Sequence, residues 1–297
     1  FFFPSIFFSH FFLSYYMMNV IDRIKNALHE DKPTIDVTSD LLLSDAHQAT
    51  AHIISKTHGV FFGQPIIDGI TSITPSLSCN QLLNDGDTVA PNDICVTITG
   101  ELRTIVEIER TLLNFLQRLS GIATITSEFV TALNDSSIAI LDTRKTTPLL
   151  RDLEKQAVLA GGGQNHRFGL HDMVLVKENH LHLYLHHYGI EAFNQKINAH
   201  KKSHPAIPIE IEIPSFALLK QLDLTSVDIV MFDNMSLPDL AQCIDYLKTQ
   251  PASPLKEVSG NITLDSISLY KGIDIDRISI GSLTHSVNAL DLSLLVV

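Results

Sequence analysis

Five cations fall within a short stretch of this chain: Arg144, Lys145, His166, Arg167 and Lys177. They stand in an acidic background, since 21 lysines and arginines face 33 aspartates and glutamates for a net charge of −12. A lone Arg or Lys is most often half of a surface ion pair worth little. A set of five concentrated in an acidic chain reads instead as apparatus for a ligand carrying several negative charges. Arg offers a planar fork to a carboxylate or phosphate and Lys a compact point charge, so the mixture suits both kinds of anion.

Two carboxylates and two glycine loops complete the candidate chemistry. Glu212 and Asp233 each end a predicted strand. There they suit hydrogen bonds from sugar hydroxyls or a Mg²⁺ ion beside a phosphate, with structural ion pairing as the competing account. Ser259-Gly260-Asn261, and Gly281-Ser282 followed by Thr284-His285, suit a terminal phosphate held by backbone N–H groups. Gly161-Gly162-Gly163 follows a helical run and reads as a helix stop leading to Asn165-His166-Arg167, without a catalytic role. His180, His182, His186 and His187 lack the H-E-x-x-H spacing of a metal helix and read as surface residues, His180 supporting the Lys177 loop. Neither G-x-G-x-x-G after a strand nor G-x-x-x-x-G-K-[ST] occurs, which sets aside dinucleotide folds and P-loop enzymes. Cys79, Cys95 and Cys243 are odd in number and far apart, so neither a disulfide framework nor a zinc knuckle is expected. A reducing, cytoplasmic compartment fits them. The acidic balance gives no general footprint for nucleic acid.

The elements that must position these groups follow from periodicity. With 297 residues, 45% of them hydrophobic and 18% charged, the chain can bury a large core. Phe1 to Met18 is densely aromatic but has no basic start or small-residue cleavage site, and it is too interrupted to span a bilayer. Met17 or Met18 is the expected start, with residues 1–18 a leader outside the fold. A helix is predicted over Val20 to Glu30, and strands around Val60-Phe61-Phe62 and Ile94 to Ile98, with a turn at Asn84-Asp85-Gly86-Asp87. Ile108, Leu112, Phe115, Leu116, Leu119 and Ala123 then recur at helical spacing, predicting a helix over Glu107 to Thr124.

Beyond a boundary placed at Ser127 to Asn134, six β-rich runs alternate with helical stretches: Ile138–Leu141, Met173–Val176, Ile209–Ile213, Asp228–Phe232, Leu255–Val258 and Arg277–Ile280. Each ends in polar or charged residues. That rhythm predicts parallel β/α architecture, in which loops at the carboxyl ends of the strands converge over one mouth. The fold class is thus α/β. An amino-terminal domain over 19–130 precedes a barrel domain over 131–285, and 286–297 is assigned to pack on the first.

The ordered segments Glu109-Arg110-Thr111-Leu112-Leu113-Asn114, Asp142-Thr143-Arg144-Lys145-Thr146, Gly161-Gly162-Gly163-Gln164-Asn165-His166-Arg167, Lys177-Glu178-Asn179-His180, Ile209-Glu210-Ile211-Glu212, Phe232-Asp233-Asn234-Met235, Val258-Ser259-Gly260-Asn261 and Gly281-Ser282-Leu283-Thr284-His285-Ser286 resemble the quinolinate phosphoribosyltransferases. The resemblance runs from about Val20 to the carboxyl terminus. It implies an amino-terminal α/β sandwich, an incomplete β/α barrel of about six strands, and a homodimer in which one subunit's amino-terminal domain covers its partner's barrel mouth, with Arg110 acting across the interface.

It further implies that Arg110, Arg144, His166, Arg167 and Lys177 bind the quinolinate carboxylates. Lys145 and Lys177 would face phosphoribosyl pyrophosphate, Glu212 and Asp233 its ribose and Mg²⁺, and Ser259, Gly260, Gly281 and His285 its 5′-phosphate. Lys145, Lys177, Glu212 and Asp233 are the implied catalytic groups. The implied reaction transfers phosphoribose to quinolinate, releasing pyrophosphate and CO2 and leaving nicotinate mononucleotide, on the route to NAD. A phosphoribosyltransferase for nicotinate, or a molybdate-associated homologue, would share the phosphate loops but not need four dicarboxylate cations. A catalytically silent sugar-phosphate binder would not need Glu212 and Asp233 as well. Two departures stand out: Ile35 and Leu149 occupy positions where the family usually has Gly, and Leu149 follows the Arg144-Lys145 loop.

Overall fold

The structure, a computed structural model, describes residues 19–43 and 47–297, and the expected leader over 1–18 lies outside them. It divides into two compact units, one of residues up to Thr124 together with Asn288–Val297, the other Ile125–Val287.

The first unit holds α1 (Val20–Asp31), α2 (Val37–Leu42), β1 (Gln48–Ser55), β2 (Gly59–Val60), α3 (Gln64–Ile73), β3 (Leu77–Gln81), β4 (Thr88–Val89), β5 (Ile94–Glu101) and most of α4 (Leu102–Leu133). Its antiparallel sheet is ordered β12-β1-β5-β3, so β12 (Leu292–Val296) returns from the end of the chain to pair with β1. Ile53, Val96 and Ile98 of the sheet are fully buried, as are Ile24 of α1 and Ile66 and Ile70 of α3. Of the predicted strand at Val60-Phe61-Phe62 only Gly59–Val60 forms. The Phe62 N–H is instead bonded by the buried Ser120 hydroxyl at 3.0 Å. Helix α4 runs well past both ends of the predicted Glu107–Thr124. Ile105 extends its buried stripe backwards, Phe129 and Leu133 forwards, and Asn134 stops it in the left-handed conformation. The expected domain boundary therefore falls inside the last turns of a continuous helix.

The second unit is built on six parallel strands: β6 (Ala139–Leu141), β7 (Val174–Val176), β8 (Ile209–Ile213), β9 (Ile229–Asp233), β10 (Leu255–Ser259) and β11 (Arg277–Ser279). They pair in the order β6-β11-β10-β9-β8-β7. Between them lie α5 (Arg151–Ala160), α6 (Glu178–Ser203, kinked at Gly189), α7 (Phe216–Leu219), α8 (Leu237–Lys248) and α9 (Leu264–Ile267), and α10 (Ser282–His285) follows β11. Register and the two-residue period decide which side chains meet. Leu175 pairs with Glu210, Glu212 with Met231, Ser259 with Asp233 and Ser279 with Ser259, so these residues share one face. Ile211, Ile213, Val230, Phe232, Val258 and Ile278 occupy the other face and are buried. Ends of all six strands line one cavity, which requires the sheet to curl around it as an open barrel. No helix among the described residues is long and apolar enough to cross a membrane.

The family's two usual glycine positions behave differently. Ile35 does not adopt a positive φ, whereas Leu149 has φ 66°. The Leu150 N–H donates to the Thr147 carbonyl at 3.1 Å, closing a turn with Pro148 and Leu149 at its centre. Proline followed by a positive φ defines a type II turn, whose second central position ordinarily takes Gly. A side chain in the left-handed region costs about 1–2 kcal/mol, and Leu149, 68% exposed, recovers little by packing. Leu149→Gly should therefore stabilise the protein by about 0.5–1 kcal/mol after the added freedom of the unfolded chain is subtracted. The check is a higher urea midpoint with unchanged slope; an unmoved midpoint would mean that the turn accepts Leu without strain.

Candidate active site

The carboxyl ends of the strands enclose two adjoining cavities. The inner one, of ≈ 360 Å³, is lined by Arg144, Lys145, His166, Arg167, Lys177, Glu212 and Asp233 among others. The outer one, of ≈ 790 Å³, takes in Gly260, Asn261, Gly281, Ser282 and His285. Thr143, Lys145, Asp233, Ser259 and Ser279 belong to both and form the shared wall. Eleven of the twelve residues singled out from the sequence therefore line one of the two chambers. Arg110 is the exception: it lies exposed on α4 in the first unit.

The inner chamber's cations are held from beneath. At the end of β6 the fully buried Asp142 pairs with Lys155 of α5, itself 4% exposed. Asp142 Oδ1 also accepts the His166 N–H at 2.9 Å, while Lys155 Nζ donates to the His166 carbonyl at 2.9 Å. Burial raises the Asp142 pKa and lowers that of Lys155, and their mutual attraction opposes both shifts. Gly163, just before, fits because a Cβ there would come within 2.8 Å of Thr126 and Val158. Arg167 donates to the Met173 carbonyl at 3.0 Å. Burial, then repulsion from Arg144, lowers its pKa, and a carboxylate placed between the two guanidinium groups would relieve that repulsion.

Beneath His166 stand two fully buried carboxylates, Glu210 and Glu257, at 3.1 and 3.4 Å from its Nε2. Burial alone lowers the ring's pKa, but the two carboxylates outweigh it and raise the value to about 9. Burial also raises that of Glu210. The Arg167 N–H donates to Nδ1 at 2.7 Å, so Nε2 carries the proton that faces Glu210 and Glu257. These three side chains are close enough to ligate an ion, but a protonated Nε2 has no lone pair to give it.

Glu212 is engaged at both oxygens, by Lys177 Nζ at 2.5 Å and by the Glu178 N–H at 3.0 Å. Asp233, exposed, accepts from Asn234 Nδ2 at 3.0 Å through Oδ2, and among the described residues no donor is bonded to Oδ1. A hard cation with oxygen ligands therefore fits Asp233 directly, and fits Glu212 only through water or by displacing Lys177. The outer chamber is a glycine cradle. Gly260 has φ 96°, and a Cβ there would meet Asn234 Oδ1 at 2.3 Å; at Gly281 it would meet Lys145 Cδ at 2.9 Å. Thr284 Oγ1 donates to the Lys145 carbonyl at 2.8 Å, tying this cradle to the shared wall.

Of the histidines set aside on α6, His180 accepts the Lys177 N–H at 3.1 Å and steadies that loop. Residues the sequence reading passed over are Asp142, Lys155, Glu210 and Glu257. A signal existed for Glu210, because acids alternating with isoleucine in a parallel strand break the continuous apolar run such strands normally show.

An open β/α barrel with a cationic chamber beside a glycine-lined one has room for two anionic groups side by side. Residues 36–120 match the amino-terminal domain of quinolinate phosphoribosyl transferase and residues 122–295 its carboxyl-terminal domain, so the chain belongs to that family. It is 40% identical over 270 residues to the probable nicotinate-nucleotide pyrophosphorylase [carboxylating] of Bacillus subtilis, covering 89% of each. It is 30% identical to the nicotinate-nucleotide pyrophosphorylase [carboxylating] of Mycobacterium leprae, covering 92% of this chain and 95% of that one. The crystal structure of NadC from Streptococcus pyogenes superposes with a TM-score of 0.84 at 36% identity, over 93% of this chain and 96% of the other.

The buried pair under the inner chamber is open to test. Lys155→Met leaves the Asp142 carboxylate buried without its counter-charge and should cost about 3–5 kcal/mol. Chemical denaturation reads this directly, and a loss below about 1 kcal/mol would mean that water reaches Asp142.

Proposed function

We propose that this protein transfers phosphoribose from phosphoribosyl pyrophosphate to quinolinate and releases pyrophosphate and CO2, giving nicotinate mononucleotide. The observation that carries this reading is the shared wall between the chambers. Lys145 and Asp233 border both, where a ribose carbon would meet a ring nitrogen. Arg144, His166, Arg167 and Lys177 take the two carboxylates of quinolinate, and Ser259, Gly260, Gly281 and His285 take the 5′-phosphate.

Pyrophosphate departs from the ribose carbon as Lys145 and Lys177 offset its growing charge, and the pyridine nitrogen attacks the cationic sugar from the inner chamber. Glu212 and Asp233 lie alongside and stabilise that positive carbon. A Mg²⁺ ion held at Asp233, with Glu212 through water, would add charge on the pyrophosphate side. Once the ring nitrogen is quaternary, the adjacent carboxylate leaves as CO2; the positive nitrogen stabilises the electron pair left on the ring carbon, which then takes up a proton from solvent. Three free thiols without a pairing pattern favour the cytoplasm as the site of this reaction.

We further place Arg110 in the site of a partner subunit, as part of a homodimer. The reading is supported by its exposure on α4 and by the apolar surface of α2, where Val37, Leu41 and Leu42 are 69%, 82% and 70% exposed.

Two measurements test these readings. Nicotinate mononucleotide and CO2 are followed together from quinolinate, with nicotinate as a parallel acceptor. Arg144→Ala should raise the quinolinate KM by about 10- to 100-fold with folding intact, and unchanged kinetics would remove Arg144 from the site. For the dimer, Arg110→Ala and Arg144→Ala subunits are unfolded and refolded together. An equal mixture should regain about a quarter of wild-type activity, since half the dimers carry one complete site. No recovery above the separate variants would place Arg110 in its own subunit's site or in none.

A further inference from the structure

We infer that Arg151 is a positioning residue that staples the loop carrying Arg144 and Lys145 to the loop carrying His166 and Arg167, thereby fixing the spacing of the inner chamber's cations. Its guanidinium spans both loops. Nε donates to Thr146 Oγ1 at 3.0 Å, Nη2 to the Arg144 carbonyl at 3.4 Å and Nη1 to the Phe168 carbonyl at 3.0 Å. Its charge centre also lies 6.0 Å from the centroid of the Phe168 ring.

Three neutral oxygen acceptors around one guanidinium describe a clamp on backbone rather than an ion pair, and Arg151 lines neither chamber. Neighbouring Glu154 adds a fourth tie by accepting the Thr147 N–H at 3.1 Å. The clamp closes over the Pro148-Leu149 turn, whose left-handed Leu149 pulls the loop towards other conformations. A strained loop keeps its shape only when its surroundings over-determine it, and the first turn of α5 supplies that constraint. Arg144 and Arg167 repel one another across the chamber, so without the staple the loop ends beyond the Asp142–His166 anchor would move apart. A dicarboxylate would then meet its guanidinium groups at the wrong distance, and such misplacements cost affinity steeply.

This inference rests on the quinolinate reading, and its test is built to separate the two. Arg151→Met and Arg151→Lys are assayed with each substrate varied in turn. The expected result is a quinolinate KM raised by about 10- to 100-fold in the Met variant, less in the Lys variant, with the phosphoribosyl pyrophosphate KM within about threefold of wild type. Amide hydrogen exchange should quicken at residues 144–147 and 166–168 together. A fall in kcat with both KM values unchanged would mean a general loss of folded enzyme and would overturn the inference, as would unaltered exchange in one of the two loops. If the Met variant does not fold, Thr146→Val, which removes one acceptor only, decides: its quinolinate KM should rise about threefold, and no rise rejects the staple. A wild type that forms no nicotinate mononucleotide would defeat the functional reading alone, leaving the exchange measurement to judge Arg151.

Discussion

The buried contact between Asp142 and Lys155 governs where the cations of the barrel mouth can stand. Two charges removed from water gain little net stability even when paired, so such a pair is better understood through what it holds in register. Here it holds the backbone of His166 from both sides, the N–H through Asp142 and the carbonyl through Lys155. Arg144 and Lys145 follow Asp142 in the chain, and Arg167 follows His166. One ion pair thus anchors two of the three segments that carry the inner chamber's positive charge, Lys177 standing on the third. Neither partner touches the space it organises.

Charge in the barrel is layered. Cations line the mouth after β6, α5 and β7, and the carboxylates that face them stand on other strands: Glu210 and Glu212 on β8, Glu257 on β10. The lower layer restrains the upper one, because Lys177 is drawn to Glu212 and His166 to Glu210 and Glu257. The anions that enter must therefore compete with internal partners. Lys177, half exposed, can turn from Glu212 towards an entering anion with a small movement, whereas His166 Nε2 keeps its two buried partners. The chamber combines a fixed floor with one adjustable cation.

Much of this was legible in the amino-acid sequence. The six strand runs are recovered within a residue or so at each end, because short parallel strands between amphipathic helices leave a clear alternation. The polar residues at their ends were readable as a common mouth, since parallel topology sends every such end the same way. What escaped the reading depends on distance across the fold. Asp142, Lys155, Glu210 and Glu257 look like ordinary polar residues until the sheet curls and brings separate strands within a few ångströms. The course of α4 beyond Thr124 escaped for another reason: Thr126, Phe129 and Leu133 continue its buried face while Ser127 and Glu128 suggest a loop. Leu149 shows the limit of composition alone, for the conformation usually served by Gly is kept although the residue is not.

The pairing of β12 with β1 has a consequence for synthesis on the ribosome. The second unit lies entirely within Ile125–Val287 and has left the exit tunnel, ready to collapse, soon after its last strand is made. The first unit begins earlier yet is completed later, because the outer edge of β1 has no neighbour until residues 292–296 arrive. For most of translation that edge offers unsatisfied N–H and C=O groups to any extended chain nearby, including another nascent copy. Loss of the last few residues would leave the catalytic chambers chemically intact and yet produce a protein prone to associate through its open sheet.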